Sequence, residues 1–167
     1  MRIEQNEPSK IANSFYYYRK IIFAVTKIII TFAPNQKLLN DMLEPIIIEA
    51  TSDTPRVELN KEKGIFRFEG KSLPEDVIKF FSPVQSWFTK YYSEPNKDTD
   101  IEFNLDYFNS STARIIVKIL IASEELHGKS TNMHVTWYYR ENDEVMRDRG
   151  IELQSVVNIP FDIVESH

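Results

Sequence analysis

No cysteine occurs anywhere in the 167 residues, which excludes disulfides, thiol nucleophiles and cysteine metal sites together and suits a reducing, cytoplasmic compartment. Glycine is scarce. Gly64, Gly70, Gly128 and Gly150 are scattered, so neither a phosphate-binding loop nor a dinucleotide fingerprint can be built from them. The histidines, His127, His134 and His167, form no HExxH and no pair at metal spacing, so a half-buried or exposed structural role is expected for each, with no metal and no cofactor. A GxSxG nucleophile elbow is also missing. Basic residues are outnumbered: 20 Lys and Arg against 25 Asp and Glu leave a formal charge of -5 and a pI near 5.3, which offers nucleic acid no electrostatic footing. The apolar run Ile21 to Ala33 has 13 residues and is broken by Lys27, short of the roughly 18 that suggest a membrane span.

What is present is core material, 42% hydrophobic and 13% aromatic, enough for one folded domain. Charge divides the chain. Residues 1–41 carry Arg2, Lys10, Arg19, Lys20, Lys27 and Lys37 against Glu4, Glu7 and Asp41, a net +3, which leaves -8 for the remainder. Such a break predicts that residues 1–41 are an N-terminal extension, accessory or a mis-assigned start, and that residues 42–165 form the domain.

From Met42 onward strand-like and helix-like periods alternate. Ile46 to Thr51 is a β-branched run closed by Ser52-Asp53-Thr54-Pro55, and Arg56 to Leu59 with Gly64 to Glu69 flank a charged hairpin loop. Ser72-Leu73-Pro74-Glu75 predicts a helix start, with Ser72 as cap and Glu75 closing a capping box. Val77, Phe80, Phe81, Val84, Trp87, Phe88 and Tyr91 follow at helical spacing, and Pro83 among them predicts a kink or a restart. Ile101 to Phe108 alternates as a strand, with Ile101, Phe103, Leu105 and Tyr107 on one face. A helix over Ala113 to Leu126 is stopped by His127-Gly128; Met133, Val135, Trp137 and Tyr139 mark a strand. Glu141 to Glu152 contains a short helix, and Val157, Ile159, Phe161 and Ile163 give a last strand that Pro160 assigns to a sheet edge. Strands separated by helices need crossovers, so the fold class is α/β, a mixed sheet packed with helices in a single domain.

Paired acids such as Glu75-Asp76, Glu124-Glu125 and Asp143-Glu144 point apart on a helix and read as solvated surface. The aromatics Trp137, Tyr138 and Tyr139 could line a pocket in a small-ligand-binding module, although strand aromatics more often fill a core. Hydrolysis would need a base beside a nucleophile, and no motif supplies one to Ser110. What stands out is Asn109-Ser110-Ser111-Thr112, between the alternating strand and the Ile-rich helix. By default it is a helix cap. The same geometry would receive a phosphate at the positive end of the helix dipole, leaving the fold intact while altering what docks there.

Five segments, in order over residues 42–164, carry a family resemblance. They are Glu44-Pro45-Ile46-Ile47-Ile48-Glu49-Ala50-Thr51 with Thr54-Pro55, then Gly70 to Asp76, Leu105-Asp106-Tyr107-Phe108-Asn109-Ser110-Ser111, Trp137-Tyr138-Tyr139, and Ile159-Pro160-Phe161-Asp162-Ile163. Together they resemble the SiaC family of bacterial regulatory phosphoproteins, whose fold is similar to the STAS domain of anti-sigma-factor antagonists. The resemblance implies a non-catalytic switch. A Ser/Thr protein kinase would phosphorylate the hydroxyl directly after the Asn of this turn, a PPM-type phosphatase would restore it, and the unphosphorylated form would bind a diguanylate cyclase in cyclic di-GMP signalling and biofilm regulation. The position matching the acceptor is Ser110, a Ser where the family's characterised acceptor is Thr, with Ser111 and Thr112 as alternates and Asn109 as the switch-turn residue.

Overall fold

A computed structural model describes residues 43–166. The expected extension at 1–41, and His167, lie outside the described residues. Within them six strands, β1 (Ile46–Ile48), β2 (Arg56–Asn60), β3 (Ile65–Ser72), β4 (Asp98–Phe108), β5 (Asn132–Arg140) and β6 (Phe161–Ser166), form one sheet in sequence order. The first two pairings are antiparallel and the next three parallel. Each parallel step contains one helix: α1 (Val77–Tyr91), α2 (Ser110–Leu126) and α3 (Glu144–Gln154). Three successive right-handed crossovers moving in one direction along a sheet put their helices on the same side. Burial agrees, because the buried apolar residues of the long strands alternate onto one face: Val57 and Leu59, Phe66 and Phe68, Ile101 and Phe103, Val135 and Trp137. The result is a two-layer α/β domain, as the period changes along the sequence predict.

The helix layer is fastened by aromatic side chains. From α1, Phe81, Val84, Trp87, Phe88 and Tyr91 are buried; Tyr91 lies 4.8 Å from the ring of Phe66, and Phe68 stacks on Phe103 at 5.0 Å. Burying each such ring contributes about 2–3 kcal/mol. Polar tips inside the layer find partners. The Tyr91 hydroxyl meets Thr99 Oγ1 at 2.6 Å, Thr99 in turn meets Thr131 at 2.9 Å, and the Trp87 indole donates to the Glu44 carbonyl at 2.8 Å.

Three sequence expectations need correction. Helix α1 is capped by Asp76, whose carboxylate accepts from the Lys79 amide, and not by Ser72, which ends β3 with its side chain buried. A residue cannot both complete a ladder and cap a helix that starts five positions later. Of the kink or restart expected at Pro83, the restart is not found, since α1 is one helix from Val77 to Tyr91; Pro83 and Lys79, the residue whose carbonyl loses its amide partner, are both exposed, so water can take the vacated bond. The last strand begins at Phe161, after Pro160, and among the described strands β6 is an edge.

The opposite face of the sheet carries none of the described helices and is polar. Arg67 grips Glu102 with two bonds of 2.9 and 3.2 Å. His134, on β5, lies between carboxylates from both neighbouring strands, Nδ1 at 3.0 Å from Asp100 and Nε2 at 3.1 Å from Asp162, with Thr136 donating to Asp100 at 3.2 Å. Ionised carboxylates only accept, so both contacts are hydrogen bonds when the ring is the imidazolium, with each nitrogen donating. Burial pulls its pKa down, but the hydrogen bond and charge of Asp100, then those of Asp162, carry it to a net rise. A raised folded-state value stabilises fully below the ordinary imidazole value of about 6.5, and the contribution disappears as pH climbs through the folded-state value. Urea denaturation of wild type and His134→Gln should therefore diverge at pH 6 and converge toward pH 9; a difference that is unchanged with pH would refute the charged bridge.

Candidate functional site

The Asn109–Thr112 turn is built by the end of β4. Register along β3 and β4 is regular to Gly70 opposite Leu105, then shifts so that Lys71 opposes Tyr107 and Ser72 opposes Phe108. Asp106 is thus the extra residue of a β-bulge, beside Gly70 at φ 87°, and a bulge reverses which side chains face inward. Tyr107, expected on the buried face, is turned out and is 51% exposed. Phe108 takes the inward place and meets the Trp137 ring edge-on at 5.7 Å. Period-two counting could not foresee this, because the extra residue leaves no mark in the hydrophobic pattern.

Immediately after the bulge, Asn109 adopts extended backbone and caps α2, its Oδ1 accepting from the Thr112 amide at 2.8 Å. The Asn109 amide donates to the Ser72 carbonyl at 3.2 Å, tying the turn to the end of β3. Of the three hydroxyl residues, Ser110 is exposed, Ser111 is half-buried, and Thr112 is 1% exposed. Thr112 Oγ1 is moreover engaged by Ser72 Oγ at 2.9 Å. Of the two alternates to Ser110, Thr112 has its hydroxyl inside the domain and already bonded. Ser111 is partly accessible; Ser110 is the hydroxyl that the fold turns to solvent.

Ser110 sits where the parallel strands end and all three helices begin. Exposed apolar side chains gather at that end: Leu73 before α1, Ile78 in its first turn, Tyr107 before the Asn109–Thr112 turn and Val145 in the first turn of α3, with Ile78 and Val145 exposed by 73% and 69%. Arg140, at the end of β5, pairs with the bulged Asp106. The first turn of α2 contains no acidic residue, and Arg114 is exposed one turn beyond Ser110, on the same side of the helix.

The aromatic trio of the ligand-module alternative does not converge. Trp137 is fully buried with its indole donating to the Met146 carbonyl at 2.9 Å, whereas Tyr138 points to the opposite, open face. Among the described residues no group of three or more His, Asp or Glu is arranged to hold a metal ion. No described helix is long and apolar enough to cross a membrane.

Comparison with known proteins agrees with this architecture. An uncharacterized protein of Pseudomonas aeruginosa (strain UCBPP-PA14) is 24% identical over 116 residues, 70% of this chain and 92% of that protein. The structure of SiaC of Pseudomonas aeruginosa superimposes with a TM-score of 0.66 at 22% identity, over 74% of this chain and 99% of that one. SiaC in the crystal structure of diguanylate cyclase SiaD in complex with its activator SiaC, from the same organism, matches at 0.68 and 24%, over 73% and 99%. The family model of SiaC family regulatory phosphoproteins fits residues 48–166, nearly the whole described domain, and the chain belongs to that family.

Proposed function

We propose that this protein is a non-catalytic phosphoswitch in which a Ser/Thr kinase modifies Ser110, a PPM-type phosphatase reverses it, and the unphosphorylated form binds a diguanylate cyclase and so acts in cyclic di-GMP signalling in the cytoplasm. The observation that carries the reading is the setting of Ser110: an exposed hydroxyl at the first position of a 17-residue helix, on the end of the domain that also bears Leu73, Ile78, Tyr107 and Val145. Apolar groups left in water at one end of a domain suit a partner surface. A phosphate among them would be tolerated by the fold, because the helix dipole and free amides of α2 favour negative charge there. A partner covering that end would have to desolvate it. The activator SiaC is in complex with the cyclase SiaD in the similar structure, which makes a cyclase the first partner to try.

Intact-mass measurement of the protein from its native cells is the direct test. The expected result is one phosphate-sized increment, removed by phosphatase and mapped to Ser110; protein that never carries phosphate under any growth condition would end the reading. The same proposal assigns the switch to residues 42–165 with 1–41 as an accessory extension. Deleting 1–41 should then leave a single cooperative unfolding transition, and an insoluble or molten product would show the boundary to be wrong.

A further inference from the structure

Ser72 and Thr112, 0% and 1% exposed, are buried hydroxyl residues that meet at 2.9 Å although 40 positions separate them in sequence. Polarity is not needed to fill this space, since an alanine and a valine of nearly the same shape would avoid desolvating two hydroxyls. The pair is wired to the acceptor turn on both sides of Ser110. Before it, the Asn109 amide donates to the Ser72 carbonyl at 3.2 Å. After it, Thr112 Oγ1 donates to the same carbonyl at 3.3 Å, which leaves the Ser72 hydroxyl to donate to Thr112 Oγ1. Asn109 alone would satisfy the cap; these bonds add a tie from β3 to both ends of the turn.

We propose that Ser72 and Thr112 are positioning residues for the phosphorylation of Ser110, an inference that rests on Ser110 being the acceptor. In the transfer, Ser110 Oγ bonds to the γ-phosphorus of ATP, the bond from that phosphorus to the β–γ bridging oxygen breaks, ADP leaves, and the hydroxyl proton passes to the kinase's base. Nothing of that chemistry touches Ser72 or Thr112. Their part is to keep the backbone on either side of Ser110 in one place, so that Oγ stands out from the domain along a fixed line. In-line transfer tolerates little error: a misplacement of about 1 Å can cost on the order of 100-fold in rate. Because the surface that a kinase would grip is larger than this turn, loss of the anchor should lower the maximal rate more than it weakens docking.

The test adds the full chain, at increasing concentration, to extract of the native cells with labelled ATP and reads phosphate on Ser110 by peptide mapping. Thr112→Val should lower the maximal rate about tenfold or more, with half-saturation within roughly twofold of wild type. Thr112→Ser, which restores the hydroxyl, should recover most of the rate, and Ser72→Ala should fall between the two. Wild-type maximal rates in both Thr112→Val and Ser72→Ala would overturn the positioning role while leaving Ser110 as acceptor. So would a rate lost in Thr112→Val and not regained in Thr112→Ser, since a hydroxyl at this position would then not suffice and the loss would report disturbed packing rather than the missing hydrogen bond. If circular dichroism finds Thr112→Val unfolded, Ser72→Ala decides, a wild-type rate counting against the proposal. Label that never reaches Ser110 in the wild-type chain would remove the acceptor reading and this inference with it.

Discussion

Ser110→Asp is expected to weaken binding of a diguanylate cyclase by tenfold or more while leaving the domain folded, and Ser110→Ala is expected to bind like wild type and take up no phosphate. The two halves of the expectation have different physical origins. At the start of α2, a negative charge is favoured by about 0.3–1 kcal/mol near the surface, the first turn holds no competing acid, and Arg114 is exposed one turn on. Stability should therefore change little, and a thermal melt of each variant checks it. Under a partner the balance reverses. Tyr107, Ile78 and Val145 present apolar surface at the same end, and a carboxylate or a phosphate of about -1.5 to -2 charges placed in such a contact loses water that apolar groups do not replace. A penalty of several kcal/mol is typical, and about 1.4 kcal/mol already amounts to tenfold in affinity. Titration calorimetry with the cyclase measures it. Equal affinity for wild type, Ser110→Asp and the phosphorylated protein would mean that this end of the domain is not where the switch acts. Ser110 and Ser111 are the pair to replace together as a control; replacing Thr112 as well would confuse the result, because its hydroxyl belongs to the core.

Much of this fold could be read from periodicity. The aromatic stripe of α1, the alternation of β4 up to Leu105, and the stop at His127-Gly128 each follow from one local rule and each hold, Gly128 with its left-handed φ of 71°. The element order, and with it the parallel half of the sheet, followed from helices standing between strands. What local rules missed depends on contacts distant in sequence. Ser72 resembles a cap when only Leu73-Pro74-Glu75 are in view; its true partner is Thr112. The inward turn of Phe108 needs the β3–β4 register, and a one-residue bulge is visible only when both strands are aligned. The capped strand-to-helix turn at Asn109 was legible as a hydroxyl cluster behind a strand. Which of its hydroxyls faces water was not, because that is fixed by helix phase and by the packing of α2 against the sheet. His134 likewise gave no signal, since Asp100 and Asp162 reach it from adjacent strands.

Gly150→Ala should destabilise the domain by about 2 kcal/mol or more, against the ordinary trend for a glycine inside a helix. In open surroundings that substitution gains roughly 0.5–1 kcal/mol, because alanine loses less backbone entropy on entering a helix. Here a Cβ at residue 150 would lie 2.5 Å from Cδ1 and 2.8 Å from Nε1 of Trp137. The indole has little freedom to retreat: it is fully buried, its N–H is held by the Met146 carbonyl at 2.9 Å, and Phe103 and Phe108 pack against it at 5.8 and 5.7 Å. Overpacking a filled core costs about 1–3 kcal/mol and sometimes more, which exceeds the helix-propensity gain. For a domain of this size each kcal/mol lowers Tm by roughly 2–4 °C, so a melt resolves the effect. Trp137→Phe supplies the partner measurement: the smaller ring makes room for the methyl group, so Gly150→Ala should cost less in that background than in wild type, and equal costs in both would show that the indole is not the obstacle. The consequence reaches the site through Phe108, two residues before Ser110. An indole pushed away from α3 presses on the ring that anchors the bulge, so the rate of phosphate uptake at Ser110 should fall in Gly150→Ala even at temperatures where the protein is fully folded.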